Sequence, residues 1–289
     1  MSSTPLPTFL GDLLHHPALN LLGIAATAAC PDGEVEGEIL ELMGRQIDAG
    51  LLDKLDPAAA WPVLARGVMG EMPSRMFHAL RACGAMERLL PEVEALFGVP
   101  QSADDPPTVD LGEHVLRVID AAARVQAPLA VRFAALVLGV GKADSPPEHL
   151  PFHYRHVERG LPRIQDIARR FDVPSECGEL AVLALHEVER VHRGTPARAG
   201  PIAAMLERLG AFVRPEPFHD LLVLCACDFH AYPGRATRSY PPAALLIQAL
   251  EACTGLEGGA VDVEILRERR ALAIAKALGS ARWGDGAGG

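Results

Sequence analysis

Apolar residues recur at three- and four-residue spacing along most of the 289-residue chain, and sustained alternation of period two is hard to find. That pattern predicts an all-α fold. Breaks at Pro31-Asp32-Gly33, Gly98-Val99-Pro100 to Pro107, Ser145-Pro146-Pro147 and Gly194-Thr195-Pro196 divide the helices into groups, with Gln101 to Pro107 as the best internal boundary. Asp110 can cap a helix, with Glu113 placed to return the bond, and Val115, Val118, Ile119 and Ala122 then share one face. Pro128 suits the first turn of the next helix. Leu129 to Leu138 is apolar nearly all round apart from Arg132, as a central buried helix requires, and it ends at Gly139-Val140-Gly141. Ser175 is a plausible cap for a helix carrying Leu180, Val182, Leu183 and Leu185, and Phe218 to Cys227 reads as another buried helix. The last amphipathic segment is Val261 to Leu278, with Arg267, Arg269 and Arg270 on its polar side; the Gly-rich end, 284–289, reads as a disordered tail.

Composition narrows this picture. With 49% hydrophobic residues the chain can bury a sizeable core. Its most apolar early stretch, Ala18 to Cys30, is interrupted by Asn20 and Gly23 and is too short to cross a bilayer, so neither a signal peptide nor a membrane span is expected. A net charge of −10 argues against wrapping nucleic acid over much of the surface and leaves room only for a local basic patch. The six cysteines are dispersed, with Cys225-x-Cys227 but no Cys-x-x-Cys, and read as reduced, mostly buried thiols of a cytoplasmic protein.

Candidate chemistry comes from the order of three segments: Val109-Asp-Leu-Gly-Glu-His114, then the apolar run Phe133 to Lys142, then Cys227-Asp228. That order resembles the HD phosphohydrolase superfamily, in which a His, a His-Asp doublet and an Asp converge on divalent metal. Further landmarks are Arg75-Met-Phe, Leu80-Arg-Ala-Cys-Gly-Ala, Leu90 to Pro100, Gly141-Lys142, His156-Val-Glu-Arg-Gly160, Val191-His-Arg193 and Ala211 to Phe218. Together they resemble, over roughly residues 38 to 278, the HD and C-terminal helical regions of bacterial CCA-adding tRNA nucleotidyltransferases. The resemblance implies an HD-domain-like helical bundle: a neck-like region over 38–100, a degenerate HD domain over 108–235 and a C-terminal helical region over 240–280. Residues 1–37 are left as an extension of unknown role that could cover the surface a missing head would occupy.

Three departures from the family pattern shape the functional expectation. The doublet after Ala-Ala-Leu-Val is Leu138-Gly139, which supplies neither imidazole nor carboxylate. A His expected before Val191-His-Arg193 is replaced by Val188, with His186 displaced by two positions and so turned off the original helix face. The Gly-Gly turn, the Asp-x-Asp pair of the nucleotidyltransferase head and the Arg-rich base-reading element are not found near the N-terminus. The leading expectation is therefore a non-polymerising, metal-independent module that binds tRNA, another RNA, a nucleotide or a protein. Lys142, Arg159, Arg190, His192 and Arg193 are its candidate phosphate contacts. No catalytic residue and no cofactor is assigned.

His114, His156 and Asp228 are the residual metal-ligand candidates. They would carry Mg²⁺, Mn²⁺ or Ni²⁺ if the chain were instead a phosphohydrolase acting on 2′,3′-cyclic or terminal phosphates. Hydrogen-bonded structural roles for His114 and Asp228, and solvated ones for Lys142 and the arginines, stand beside these readings. His149, His153 and His156 could share a helix face, but Pro146, Pro147 and Pro151 favour a loop there. A separately encoded nucleotidyltransferase head docking on residues 1–100 is a third possibility.

Overall fold

The computed structural model describes residues 16–193, 198–256 and 262–279. Helices α1 (Pro17–Thr27), α2 (Gly37–Asp48), α3 (Pro57–Val68), α4 (Pro73–Ala82), α5 (Ala85–Leu89) and α6 (Pro91–Glu94) build the N-terminal part. Prolines at the first turns of α1, α3, α4 and α6 fit because a backbone N–H there has no intrahelical acceptor, so its absence costs no helical hydrogen bond. α1 buries Ala18, Leu21, Leu22 and Ala25 against α3 and α4, so part of the expected extension belongs to the core.

α6 leads into an antiparallel ribbon, β1 (Pro100–Ser102) with β2 (Thr108–Asp110), in which Gln101 faces Val109. The stretch Gln101 to Pro107, expected as an internal boundary, thus supplies the end of β1 and, over Ala103 to Pro107, the tip of a hairpin. Three residues per strand are too few to leave a period-two signature, and the architecture otherwise is all-α, as the apolar spacing predicts.

α7 (Leu111–Arg124) starts where Asp110 Oδ1 accepts the backbone N–H of Glu113 at 2.9 Å. The reciprocal half of the capping box gives way to a contact across helices, with the Glu113 carboxylate 3.7 Å from His78 Nε2. α8 (Leu129–Val137) is the central helix, packed on α7, α10 (Ser175–His192) and α12 (Pro215–Ala231). Pro128 stands at its cap, just before the first turn. Phe133 on α8 is fully buried, and a side chain of that size contributes roughly 2–3 kcal/mol on burial. Arg132 is buried with it and donates to the carbonyl oxygens of Ala127, Val68 and Gly70. At α10 the capping expectation fails: Pro174 occupies the cap, Ser175 is already helical, and no side chain caps that end.

α9 (His156–Arg170) crosses the end of α8 at two glycines. A Cβ on Gly141 would lie 2.0 Å from the His156 carbonyl oxygen and 2.7 Å from the Gly160 nitrogen, so the backbones touch with no side chain between them. His149 lies in a short 3₁₀ turn, His153 in the following loop and His156 at the start of α9, so the three share no helix face.

The remaining helices are α11 (Ala199–Arg208), α13 (Pro241–Glu251) and α14 (Val263–Leu278). α14 lies on α11 and α13, with Arg267 and Arg269 exposed as expected. Arg270 departs from that polar side, its guanidinium carbon standing 3.8 Å from the Phe212 ring centroid. The disordered-tail reading of 284–289 lies outside the described residues. One hydrophobic cluster runs from Ala18 to Ala275, and five of the six cysteines are buried free thiols. No described helix is long and apolar enough to cross a membrane.

Candidate functional site

α7, α10 and α12 bring together side chains that are distant in sequence. Asp228, buried on α12, has its Oδ1 2.8 Å from His114 Nε2 and its Oδ2 2.8 Å from His192 Nε2. A carboxylate can only accept, so both Nε2 atoms carry the proton. On its other side His192 Nδ1 shares a hydrogen bond with the hydroxyl of Tyr240, 2.9 Å away at the cap of α13. The His114 ring rests on Tyr232 at 4.1 Å between centroids, and its Nδ1 is buried without a protein partner. Burial alone would push the Asp228 pKa up, but the bonds from His114 and His192 outweigh it and hold the carboxyl far below its ordinary range. Burial and the Asp228 charge in turn push the Tyr232 hydroxyl up, so it stays protonated.

This centre opens into a cleft of about 870 Å³. On α10 the residues facing the cleft are Leu185, Val188, Glu189 and His192, spaced as one helix face. Val188 is buried there, and His186 is exposed on another face and does not reach the cleft. Leu138 and Gly139 also line it and present no donor atom.

A second cluster forms one helical turn before His192. Glu189 Oε1 is 3.4 Å from both Lys142 Nζ and His156 Nε2, and its Oε2 is 3.8 Å from Arg193. Lys142 also donates to Gln101 Oε1 at 3.1 Å, tying the cluster to the ribbon. Burial pulls the His156 pKa down despite Glu189; burial would raise that of Glu189, but Lys142, His156 and Arg193 together bring it below the ordinary value. His153 accepts from Ser145 at Nδ1 and donates to the Pro100 carbonyl at Nε2, and burial, with Lys142 nearby, lowers its pKa to about 4.

The candidate residues are therefore sorted by the fold. His114 and Asp228 meet, and His156 is turned to Glu189 instead. His192, read from sequence as a phosphate contact, is the second imidazole on Asp228. Lys142 and Arg193 face the cleft. Arg159 is taken up by the Gly141 carbonyl and the Ser145 hydroxyl, and Arg190 lies outside the cleft, 2.7 Å from the buried Glu187. Sequence reasoning passed over Tyr240, Arg155, Arg235 and Arg238, which line the same cleft. For Tyr240, Arg235 and Arg238 the one visible signal was the run of aromatic and basic residues from Phe229 to Tyr240 directly after Asp228; Arg155 stands beside Tyr154 in the loop before α9.

Among the described residues, no three His, Cys, Asp or Glu side chains form a group that could hold a metal ion. The donor chemistry agrees: both Asp228 oxygens accept from imidazole N–H groups, His156 faces Glu189, and positions 138 and 139 offer nothing. The site does not fit the two-metal hydrolytic centre that the HD resemblance implies. What it offers is an ionised, doubly clamped carboxylate beneath a cleft in which five Lys and Arg side chains outnumber three carboxylates.

An all-helical protein with a carboxylate–imidazole centre under a cationic cleft is the class that fold and site define. The chain belongs to the family of multifunctional CCA proteins. It is 42% identical over 255 residues to the multifunctional CCA protein of Cupriavidus necator, a match covering 85% of this chain and 62% of that protein. Its identity to the protein of the same name from Verminephrobacter eiseniae is 40% over 276 residues, covering 91% of this chain and 67% of the relative. For Cupriavidus taiwanensis the identity is 40% over 282 residues, covering 94% and 68%. The chain thus spans about 62% to 68% of the length of these relatives. No protein-family model matches it.

Proposed function

We propose that this chain is a tRNA nucleotidyltransferase-like protein of HD type that binds RNA, tRNA first among candidates, and catalyses neither nucleotide addition nor metal-dependent phosphate hydrolysis. The carrying observation is the Asp228 centre, in which two imidazole N–H groups stand where an HD site would hold metal, beneath a cleft richer in cations than carboxylates. Cations gathered in one cleft of a chain with net charge −10 favour a local phosphate contact over extensive wrapping. The sequence resemblance to CCA-adding tRNA nucleotidyltransferases favours tRNA as the RNA, and a separate nucleotidyltransferase domain is a candidate partner. A cytoplasmic location follows from the same reading.

The test is tRNA binding by the purified chain at two salt concentrations, with and without Mn²⁺, alongside ring opening of a 2′,3′-cyclic phosphate and release of inorganic phosphate from a terminal monophosphate. Salt-sensitive binding that is indifferent to Mn²⁺, with no turnover, is the expected result. Three or four phosphate contacts give a slope of log K against log salt of roughly −2 to −3. Metal-dependent turnover abolished by His114→Ala would replace this reading with a rebuilt phosphohydrolase.

A further inference from the structure

We propose that Arg235 is the phosphate anchor of the cleft and that Asp104 is an internal carboxylate which occupies the anchor until a ribonucleotide phosphate displaces it. The proposal rests on the RNA-binding reading and adds to it the contact point and its competitor.

Arg235 is built as a fixed fork. Its guanidinium carbon lies 4.8 Å from the Tyr232 ring centroid and 5.0 Å from that of Phe229, and its side chain is only 20% exposed. Tyr232 is itself stacked on His114, so the guanidinium is held beside the Asp228 centre by two aromatic rings. Arginine stacked in this way keeps its N–H groups aimed in one direction, the arrangement that suits a phosphate oxygen.

Those N–H groups already have a ligand. Nε and one terminal nitrogen of Arg235 donate to Asp104 Oδ2 at 3.0 and 2.7 Å, and Arg238 stands 3.8 Å from the same oxygen. The two partners are unlike in exposure. Asp104 sits on the exposed hairpin tip with its side chain 60% accessible, so it can swing out without opening the core. An exposed ion pair of this sort is weak, whereas a phosphate brings more charge and more acceptor oxygens to the same fork.

The experiment compares wild type with Asp104→Asn, Asp105→Asn and Arg235→Lys. The probes are inorganic phosphate, followed by ³¹P line broadening, and a fluorescent single-stranded RNA 12-mer. Asp105 is the neighbouring exposed carboxylate, so Asp105→Asn controls for the change in net charge. Asp104→Asn should tighten binding of both probes roughly two- to fivefold beyond Asp105→Asn. Arg235→Lys, which keeps the charge and loses the fork, should weaken both about tenfold at unchanged melting temperature. Equal effects of the two Asn variants, or wild-type phosphate affinity in Arg235→Lys, would overturn the proposal even if RNA still binds. Opposite shifts for phosphate with no RNA binding in wild type would retain the anchor and sink the RNA reading.

Discussion

Arg132 reaches from the middle of α8 to the carbonyl oxygen of Val68, 64 residues earlier, at 3.1 Å. The same guanidinium donates to Gly70 and Ala127, so one buried cation serves three backbone acceptors at the end of α3 and in the turn before α8. Burial draws its pKa down but leaves arginine charged. Arg132→Leu removes every donor at once and leaves the carbonyls without partners. Urea unfolding should show a loss of about 3 kcal/mol, and no loss would mean that water replaces the guanidinium.

Asp228 contributes stability that depends on pH with a definite sign. Its folded-state pKa is depressed, so the contribution is fully present above the unfolded value of about 3.9 and is lost as pH falls below it. Asp228→Asn should therefore be less stable than wild type at pH 7, by about 3 kcal/mol, with the gap starting to narrow as the pH falls below about 4 and closing only toward the far lower folded-state value. A gap independent of pH between 3 and 7 would show that the carboxylate is not held ionised by His114 and His192.

Two neighbouring arginines separate surface charge from cleft charge. Arg193 borders the cleft, whereas Arg190 lies outside it and pairs with Glu187. Arg193→Ala should weaken tRNA binding roughly three- to tenfold and flatten its salt slope by about one contact, while Arg190→Ala changes it less than twofold. Equal losses would place RNA on the outer surface of α10 instead.

Glu187 is only 4% exposed and is held by Arg190 and by two bonds from Arg208. Glu187→Leu takes away a carboxylate at the α10–α11 contact and leaves two cations without their acceptor. Thermal unfolding should show a loss of about 2–3 kcal/mol with RNA affinity per folded molecule unchanged. Loss of affinity without loss of stability would contradict the structural role.

Placing a His-Asp doublet at positions 138 and 139 tests the proposal that the site holds no metal. In Leu138→His combined with Gly139→Asp, an imidazole and a carboxylate enter the cleft wall at two positions that now carry neither. A Cβ at position 139 would lie 3.3 Å from Leu96 and 3.4 Å from Val115, so the variant should lose about 1–3 kcal/mol to overpacking. Mn²⁺ or Ni²⁺ titration by calorimetry should then show stoichiometric binding absent from wild type. Equal binding by wild type would show that the direct hydrogen bonds to Asp228 yield readily to metal.

Much of the helix layout was legible because its signals are local. Asp110 capping Glu113, the apolar run of α8 and the turn at Gly139 are each written within a few residues. The ribbon at Gln101 was hidden by its shortness, and the role of Ser175 by a proline one position earlier. In the site, His114 and Asp228 were picked out by residue type and order. The place of His192 depends on how α10 meets α12, and that of Arg235 on a ribbon 131 residues earlier in the chain, so spacing alone could reveal neither.

The contact between Gly141 and Gly160 gives the cleft one jaw without travel. Lys142 follows one side of the crossing and His156 begins the other, so the positions of both groups are set by backbone against backbone. Opposite them, the ribbon is tied at Gln101 on β1 by the part-buried Lys142 and at its exposed tip by the pair of Arg235 with Asp104. An incoming molecule is therefore measured against a rigid gauge on one side, and any accommodation of its size falls to the hairpin.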